Sequence, residues 1–165
     1  MEIEKKYEIT KLPDNLEQYE KKEIEQGYLC VKPVVRIRKS NDDYILTYKS
    51  PYKNENKSEK VAIVNNEIEM PLTKEAYIHL KEKVDNNTIT KTRYLIPLEN
   101  GLVGELDVFH GVLSGLVFIE VEFSSEEEAS RFNPPSWFIK DVSFEKKYKN
   151  NYLCKINSYS ELCSE

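Results

Sequence analysis

Charged side chains occupy every second position in several short stretches of this chain, and this two-residue period is the feature that most constrains its fold. In the first stretch the alternate positions hold Glu2, Glu4 and Lys6. Successive side chains of a β-strand point to opposite faces, so a strand here would place all three on one face. The same spacing recurs in six further polar pairs: Arg36/Arg38, Thr47/Lys49, Glu67/Glu69, Lys91/Arg93, Glu105/Asp107 and Glu120/Glu122.

The intervening positions are apolar in several of these stretches, namely at Ile3, Val35, Ile37, Val117, Ile119 and Val121. In an open sheet a charged face simply meets water, and that explanation suffices for any one pair. Taken as a set, the pairs predict a barrel with charges inside and apolar residues outside, beneath helices. Burying unpartnered charges costs several kcal/mol each, so such an interior must hold acids against bases, water, metal ions or a polyvalent ligand.

The elements favour a β structure closed on itself, with about eight mostly antiparallel strands. Runs rich in β-branched and aromatic residues predict strands at 2–10, 32–39, 43–50, 59–70, 88–97, 101–109, 116–123 and 140–149. Helices are predicted at 12–24, at 73–84 and at 125–132, where Ser125 and Glu128 form a capping-box pattern, and the tail 152–165 is a weaker helical candidate. The predicted fold class is α+β, mainly β, with a few peripheral helices.

Composition predicts one domain spanning residues 1–165, because 39% hydrophobic residues in 165 suit a single core. The formal net charge of -5 argues against a nucleic-acid polymer as partner. The three cysteines lack CxxC spacing, and we recognise neither a secretory leader nor an apolar run able to span a bilayer. We therefore expect a cytoplasmic protein with no membrane association, as a monomer or homodimer.

The candidate interior residues fall into two chemical groups. Arginine and lysine bind phosphate oxygens, and five candidates of this kind are Arg36, Arg38, Lys49, Lys91 and Arg93. Carboxylates are hard oxygen ligands for Mg2+ or Mn2+, and six candidates are Glu2, Glu4, Glu67, Glu69, Glu120 and Glu122. The two groups together predict divalent metal that bridges acid to a bound phosphate.

These residues, in this order, resemble the CYTH superfamily of triphosphate tunnel metalloenzymes. The resemblance covers nearly the whole chain through Glu2-x-Glu4-x-Lys6, Val35-Arg36-Ile37-Arg38, Glu67-x-Glu69, Lys91-Thr92-Arg93-Tyr94, Glu105-Leu106-Asp107, Ile119-Glu120-Val121-Glu122 and Lys146-Lys147-Tyr148-Lys149-Asn150. It implies an eight-stranded antiparallel closed β-barrel, a triphosphate tunnel that binds its substrate with divalent metal. Members of the family cleave or rearrange triphosphates.

The resemblance also implies roles for individual residues. Phosphate-binding positions are matched by Lys6, Arg36, Arg38, Lys49, Lys91, Arg93 and Lys147, the last standing where an arginine is usual. Metal-ligating positions are matched by Glu2, Glu4, Glu120 and Glu122, and Glu67 and Glu69 would add ligands or orient water. The catalytic candidates are Glu4, whose metal would polarise water, and the pair Tyr28 and Lys91. Tyr28 as a packed aromatic, Lys91 as a phosphate contact, and Glu105 and Asp107 as ion-pair partners remain alternatives.

The resulting functional prediction is a metal-dependent triphosphatase that hydrolyses inorganic tripolyphosphate, or a related triphosphate, to phosphate and pyrophosphate inside the charged tunnel; thiamine triphosphate is one such related substrate. Its partner would be a small-molecule triphosphate. One alternative is a class IV adenylyl cyclase that converts ATP to cyclic AMP and pyrophosphate. Another is a non-catalytic module that binds a triphosphate or nucleotide.

Overall fold

The structure is a computed structural model that describes residues 1–52 and 60–163. Strands dominate the described residues: β1 (Glu2–Ile9), β2 (Glu20–Val31), β3 (Val34–Ser40), β4 (Asp43–Pro51), β5 (Ile63–Pro71), β6 (Asp85–Pro97), β7 (Val103–Phe109), β8 (Val117–Glu122) and β9 (Phe138–Asp141). The α-helices are short: α1 (Lys74–Lys81), α2 (Glu126–Arg131), α3 (Asn150–Leu153) and α4 (Ser160–Cys163). Single 3-10 turns occupy Leu16–Gln18, Glu99–Gly101, Gly111–Leu113 and Lys146–Tyr148.

Eight of these strands close into an antiparallel barrel, which confirms the predicted fold class. Their order is β5-β4-β3-β2-β6-β7-β8-β1, and β1 returns to pair with β5. The closing pairs run from Glu2 opposite Asn65 to Glu4 opposite Ile63. The last residues of β1 pair with β9, an extra strand outside the ring. Closure removes the exposed edges that an open sheet would carry.

Strand register explains why the charges gather inside, since directly opposed residues of an antiparallel pair share a face. Lys6 lies opposite Glu120, Lys49 opposite Glu67, and Arg93 opposite Asp107. The other face of these strands is apolar and buried. Its cluster packs beneath α2 and β9 and includes Ile3, Leu106, Ile119, Val121, Ala129 and Phe138. The prediction of a barrel with charged residues inside and apolar residues outside is confirmed.

Part of the interior is apolar, which the alternation of charges did not predict. Tyr28, Ile89, Phe109 and Phe118 form one buried cluster with the C-terminal segment, including Leu153. Register places these aromatics next to charged neighbours, because Phe109 is opposite Lys91 and Phe118 is opposite Asp107. The barrel therefore holds an apolar region packed against the C-terminal segment and a charged region beside it.

The predicted helix at 12–24 is wrong, because β2 begins at Glu20 and only Leu16–Gln18 forms a helical turn. Pairing along both edges, with β3 and with β6, satisfies the backbone of β2. Within β2, a Cβ at position 27 would lie 2.6 Å from Val84 Cγ1, so the close packing of Val84 requires the glycine found there. Tertiary pairing thus overrides the local preference in this segment.

The predicted strand at 140–149 is also wrong beyond Asp141, where β9 ends. Ser143 turns the chain: its N–H donates to Asp141 Oδ1 at 3.0 Å, and its hydroxyl oxygen accepts from the Lys6 N–H at 3.0 Å. The tail predicted as a helix at 152–165 contains only the short α3 and α4, and its last two residues lie outside the described residues. The first residue of the strand predicted at 59–70 also lies outside them.

Two predicted helices are confirmed together with their N-terminal caps. The Ala76 N–H donates to Thr73 Oγ1 at 3.1 Å at the start of α1, and the Glu128 N–H donates to Ser125 Oγ at 3.0 Å at the start of α2. Such caps satisfy N–H groups that have no partner within the helix. None of the helices in the described residues is both long and apolar enough to cross a membrane.

Candidate active site

A cavity of about 190 Å³ lies in the charged region of the barrel, and we call it the tunnel cavity. It brings together side chains from β1, β3, β4, β5, β6, β7 and β8, with one from α3. The lining residues are Glu2, Glu4, Lys6, Arg36, Arg38, Lys49, Glu67, Glu69, Arg93, Glu105, Glu120, Glu122 and Asn150. Most of the residues proposed from the spacing pattern therefore meet in one place.

One side of this region is a continuous network of ion pairs, which we call the paired wall: Lys6, Lys91, Arg93, Asp107 and Glu120. Asp107 accepts hydrogen bonds from Lys91 Nζ at 2.5 Å and from Arg93 Nε and Nη2, both at 2.7 Å. Glu120 accepts from Lys6 Nζ at 2.5 Å and from Arg93 Nη2 at 2.8 Å. Every member of this network has an oppositely charged partner.

The pKa values of the paired wall follow from this geometry. Although burial opposes ionisation, Lys6 and Arg93 hold the pKa of Glu120 well below its usual range. Likewise Arg93 and Lys91 outweigh burial and lower the pKa of Asp107. For Lys91 the balance differs: burial lowers its pKa to about 8 despite the attraction of Asp107. The network is therefore ionised at neutral pH.

A second group of residues in the tunnel cavity forms fewer close ion pairs and hydrogen bonds. We call it the open wall: Arg36, Arg38, Glu67 and Glu69. Buried Arg36 Nε has no hydrogen-bond partner among the described residues, and the nearest carboxylate to Arg36 Nη2 is Glu69 at 3.7 Å. Within the same residues Arg38 forms no ion pair; its Nε donates to Gln26 Oε1 at 3.3 Å. Burial, together with Arg36 and Arg93, lowers the pKa of Arg38 to about 10. The two guanidinium groups of the open wall are therefore less closely paired than the cations of the paired wall.

Carboxylates crowd another part of the tunnel cavity. Burial raises the pKa of Glu122, and Glu2, Glu105 and Glu67 raise it further. Glu122 has no ion-pair partner within the described chain. The pKa of Glu4 is also raised, chiefly by burial. Mutual repulsion of this kind indicates a site that lacks positive charge.

Two lysines reach this acidic region: Lys6 Nζ lies 3.9 Å from Glu4, and Lys49 contacts several carboxylates. Lys49 forms a short ion pair with Glu2 and lies 3.8 Å from Glu4 and 3.5 Å from Glu67. Although burial opposes its charge, Glu4 and Glu2 raise the pKa of Lys49. Glu67 Oε2 nevertheless forms no hydrogen bond among the described residues. One ammonium is thus shared among three carboxylates.

The residues present fit a divalent cation. Glu2, Glu4, Glu67 and Glu122 supply hard oxygen atoms where carboxylates crowd together, and Glu67 Oε2 is buried without a hydrogen-bond partner among the described residues. No three acidic, histidine or cysteine side chains of residues 1–52 and 60–163 converge closely enough to hold an ion by themselves. Mg2+ commonly combines one or two carboxylates with water and substrate phosphates, so this arrangement fits an ion that shares its ligands with phosphate.

A second cavity of about 280 Å³, which we call the annex, adjoins the tunnel cavity. The two share Glu4, Lys6, Arg36, Lys49 and Asn150. The annex adds residues from the turn between β2 and β3, from the ends of β4 and β5, and from the start of α3: Tyr28, Val31, Lys32, Pro33, Val34, Pro51, Ile63, Asn65, Lys149 and Asn151.

Three predicted residues are placed differently from the rest. Lys91 is fully buried, bonded to Asp107, and does not line the tunnel cavity. Tyr28, which is 2% exposed, lines the annex together with Lys49, whereas Lys91 does not. Lys147 lines neither cavity, and its ammonium lies 5.5 Å from the centre of the Tyr148 ring. The structure therefore does not bring Tyr28 and Lys91 together at one cavity.

Sequence reasoning missed the contribution of Lys149 and Asn150. Asn150 Oδ1 is buried without a hydrogen-bond partner in the described chain, and Asn150 lines both cavities. The sequence signal was the basic run at 146–150, in which the family resemblance pointed to Lys147. Lys146–Tyr148 forms a 3-10 turn, and Lys147 lines neither cavity whereas Asn150 lines both.

Comparisons with known proteins agree with this geometry. A protein from Nitrosomonas europaea named inorganic triphosphatase is 34% identical over 155 residues, covering 92% of this chain and 95% of that protein. A second inorganic triphosphatase, from Acetivibrio thermocellus, is 32% identical over 132 residues, covering 79% and 78%. The crystal structure of an inorganic triphosphatase superposes with a TM-score of 0.67 at 32% identity, covering 96% of this chain and 97% of the other.

The family model described as CYTH domain matches residues 1–144. This match includes every barrel strand and β9, and it stops before Lys149 and Asn150. Members of this family use a divalent metal. The sequence match, the relatives and the charged barrel lead to one conclusion: the chain belongs to the CYTH domain family.

Proposed function

We propose that this protein is a metal-dependent triphosphatase that hydrolyses inorganic tripolyphosphate to phosphate and pyrophosphate, with Mg2+ or Mn2+ as its cofactor. One observation carries the proposal. Within the described parts of the chain, three buried side-chain atoms lack a hydrogen-bond partner, Arg36 Nε, Glu67 Oε2 and Asn150 Oδ1, and all three residues line the tunnel cavity. Unsatisfied donors and acceptors together suit a polyanion bound with cations.

The chain's own side chains would hold the phosphate groups. Arg38 forms no ion pair with the described residues, and the nearest carboxylate to Arg36 Nη2 is Glu69 at 3.7 Å, so both offer guanidinium donors. Lys6 and Arg93 extend the cationic surface. Phosphoryl transfer depends mainly on alignment of the reacting groups and on neutralisation of charge, and a rigid barrel supplies both. The family's divalent ion, held by Glu2, Glu4, Glu67 and Glu122, supplies charge neutralisation and water activation when bound.

The remaining predicted sites enter the proposal in modified roles. Lys91 acts with Asp107 as a positioning residue that fixes Arg93, because it is buried and bonded away from the cavity. Glu120 is predicted from the sequence as a metal ligand, but its carboxylate oxygens already accept hydrogen bonds from Lys6 and Arg93. Glu69 lies at the edge of the cavity, where its side chain is 42% exposed, and it orients Arg36 through Thr47. Tyr28 remains a candidate beside the reacting phosphate.

We further propose that residues 1–165 act as a single domain in the cytoplasm. The support is the three unpaired cysteines, Cys30, Cys154 and Cys163, which suit a reducing compartment. A class IV adenylyl cyclase would need a surface for adenine, and among the described residues that line the annex the one aromatic is Tyr28, which is almost fully buried. A binding module without turnover would not need the crowded carboxylates.

The test is a product-resolved assay of tripolyphosphate, ATP and thiamine triphosphate with Mg2+, with Mn2+ and with chelator. We expect metal-dependent release of phosphate from tripolyphosphate, and its loss in Glu4→Gln and in Glu122→Gln. Glu75→Gln, an exposed glutamate on α1, is the matched control and should retain full activity. Cyclic AMP from ATP would instead establish the cyclase, and tight binding without products would establish the binding module.

A further inference from the structure

Gln26 places a neutral amide in the interior of the barrel, where the side chain is 0% exposed. Its neighbours on the same face of β2 are the buried residues Ile24 and Tyr28, and Gln26 itself lines neither cavity. An apolar residue would fill this position without the cost of burying an amide. The contacts of the amide must therefore account for its presence.

The amide bridges two residues of the candidate site. Arg38 Nε donates to Gln26 Oε1 at 3.3 Å, and Gln26 Nε2 donates to the Tyr28 hydroxyl oxygen at 3.4 Å. A guanidinium only donates and the amide NH2 only donates, so this is the one orientation of the amide in which both hydrogen bonds form. Arg38 lines the tunnel cavity and Tyr28 lines the annex, so one amide contacts a residue of each.

The barrel uses the same arrangement of strands twice, with different chemistry. Arg93 lies opposite Asp107 on the neighbouring strand, and Arg38 lies opposite Gln26. Asp107 accepts from Arg93 Nε at 2.7 Å and, as a carboxylate, neutralises that guanidinium. Gln26 accepts from the corresponding atom of Arg38 and adds no charge. The Arg38 guanidinium is thus held by a hydrogen bond while it forms no ion pair among the described residues.

The same amide determines what the Tyr28 hydroxyl has left to offer. Its oxygen accepts from Gln26 Nε2, and no group of the described residues accepts its hydrogen. Burial raises the pKa of Tyr28, so the hydroxyl keeps its proton at neutral pH. The hydroxyl hydrogen of Tyr28 and the two Nη groups of Arg38 are therefore the donors that remain for a ligand.

We propose that Gln26 is a positioning residue of the phosphate site. Its neutral amide fixes the direction of the Arg38 guanidinium and of the Tyr28 hydroxyl, and it leaves both able to donate to the substrate. This role rests on the proposed triphosphatase function and deepens it, because it names the residue that keeps Arg38 charged and unpaired. A glutamate at this position would have nearly the same shape, but it would pair with Arg38 and accept the hydrogen of Tyr28.

The competing explanation is that the amide only completes the packing of the barrel and stabilises the fold. The two explanations differ in their consequences for Gln26→Glu. In a purely structural role, activity and thermal stability should change together. In a positioning role, activity should fall although the folded state is retained, because pairing with Arg38 offsets the cost of burying the new carboxylate.

The experiment measures kcat, KM and the melting temperature of Gln26→Glu and Gln26→Met with tripolyphosphate. We expect Gln26→Glu to lower kcat/KM about 10- to 100-fold, as for the loss of one hydrogen bond to a charged group, with a melting temperature close to that of the parent. Gln26→Met makes neither hydrogen bond but leaves the charge of Arg38, so its loss should be smaller. Gln18→Glu, the same change at an exposed position that lines neither cavity, is the matched control.

Double-mutant cycles show whether the effect passes through the two residues that the amide contacts. In an Arg38→Met background, Gln26→Met should no longer change KM for tripolyphosphate. In a Tyr28→Phe background, it should no longer change kcat. The same factors in these backgrounds as in the parent would overturn the proposal, as would full activity in Gln26→Glu or losses that follow the melting temperature.

Binding measurements separate this proposal from the function on which it rests. If tripolyphosphate is not hydrolysed, the proposed function fails, and calorimetry of tripolyphosphate binding to the parent, Gln26→Glu and Gln18→Glu still tests Gln26. Weaker binding in Gln26→Glu alone would support its role. Equal binding in all three proteins would refute it.

Discussion

The two sides of the tunnel carry similar residue types but differ in how those residues are partnered. On the paired wall Asp107 and Glu120 neutralise Lys6, Lys91 and Arg93 at 2.5 to 2.8 Å. On the open wall the nearest carboxylate to Arg36 lies at 3.7 Å, and Arg38 has no carboxylate within ion-pair distance among the described residues. The same kinds of charge are satisfied on one side and unsatisfied on the other.

This difference separates stability from binding. A buried charge that loses its partner destabilises the folded state, so the paired wall should be sensitive to mutation through stability. An unpartnered charge already costs free energy in the empty protein, and its removal should affect ligand binding more than folding. We therefore expect the paired wall to stabilise the barrel and the open wall to contribute mainly to ligand binding.

The largest expected effect on folding is that of Asp107→Asn. This change leaves the buried ammonium of Lys91 and the guanidinium of Arg93 without their main carboxylate, and it should lower the free energy of unfolding by about 3–5 kcal/mol. Urea denaturation followed by circular dichroism measures it. Glu105→Gln is the control, because Glu105 also pairs with Arg93 but is 31% exposed, so its loss should be clearly smaller. Equal losses of unfolding free energy in the two variants would contradict the special sensitivity expected of the buried ion pairs.

The largest expected effect on activity is that of Arg36→Gln on the open wall. Removal of a positioned donor to the phosphate groups should lower kcat/KM for tripolyphosphate about 10²–10³-fold. Because Arg36 lies near Arg38 and has no close carboxylate, the free energy of unfolding should change by less than about 1 kcal/mol. Steady-state kinetics and urea denaturation of the same preparation test both halves. If Arg36→Gln instead lowers the free energy of unfolding substantially, Arg36 stabilises the fold as the residues of the paired wall are expected to do.

The next prediction concerns Lys91 and pH. Its pKa of about 8 in the folded protein lies below its ordinary value of 10.5, so the unfolded state binds more protons between these values. The free energy of unfolding should therefore rise with pH in this window, by about 1–2 kcal/mol between pH 7.5 and 9.5 relative to Lys91→Met. Urea denaturation of both proteins at several pH values measures the difference. A difference independent of pH would contradict the depressed pKa.

The smallest expected effect is that of Glu122→Gln on stability in the absence of metal. The raised pKa of Glu122 reflects repulsion that grows as pH rises through it, so the variant should be more stable than the parent at pH 8 by a few tenths to about 1 kcal/mol. At pH 4 this gain should shrink. Adding Mg2+ should stabilise the parent more than the variant, as thermal melting would show. An equal response to Mg2+ would remove Glu122 from the metal site.

Much of the barrel was predictable because alternation depends on local geometry alone. A strand with Glu2, Glu4 and Lys6 at alternate positions must point them to one side, and closure then makes that side the interior. The missed strand β2 shows the limit of this reasoning. Its interior residues Ile24, Gln26 and Tyr28 carry no repeated charge, so the rule that found the other strands had nothing to detect.

The site was predictable as a set of residues but not as a set of contacts. Lys91 and Arg93 share one strand and one face, yet only Arg93 lines the tunnel cavity, because Asp107 and Phe109 enclose Lys91. Likewise the resemblance pointed to Lys147 in the run 146–150, whereas Asn150 of the same run lines the tunnel cavity. Spacing identifies which residues face inward and cannot tell which of them remain without a partner.

The amino-acid sequence by itself determined the charged interior and the apolar exterior, since both follow from residue type and a period of two, and the order of its motifs carried the resemblance to the family. Only the tertiary structure decided which charges neutralise one another and which stay available, and that the C-terminal segment brings Asn150 to the tunnel. The reason is physical: strand alternation is a property of neighbouring residues, whereas ion pairing depends on distances between strands far apart in the chain.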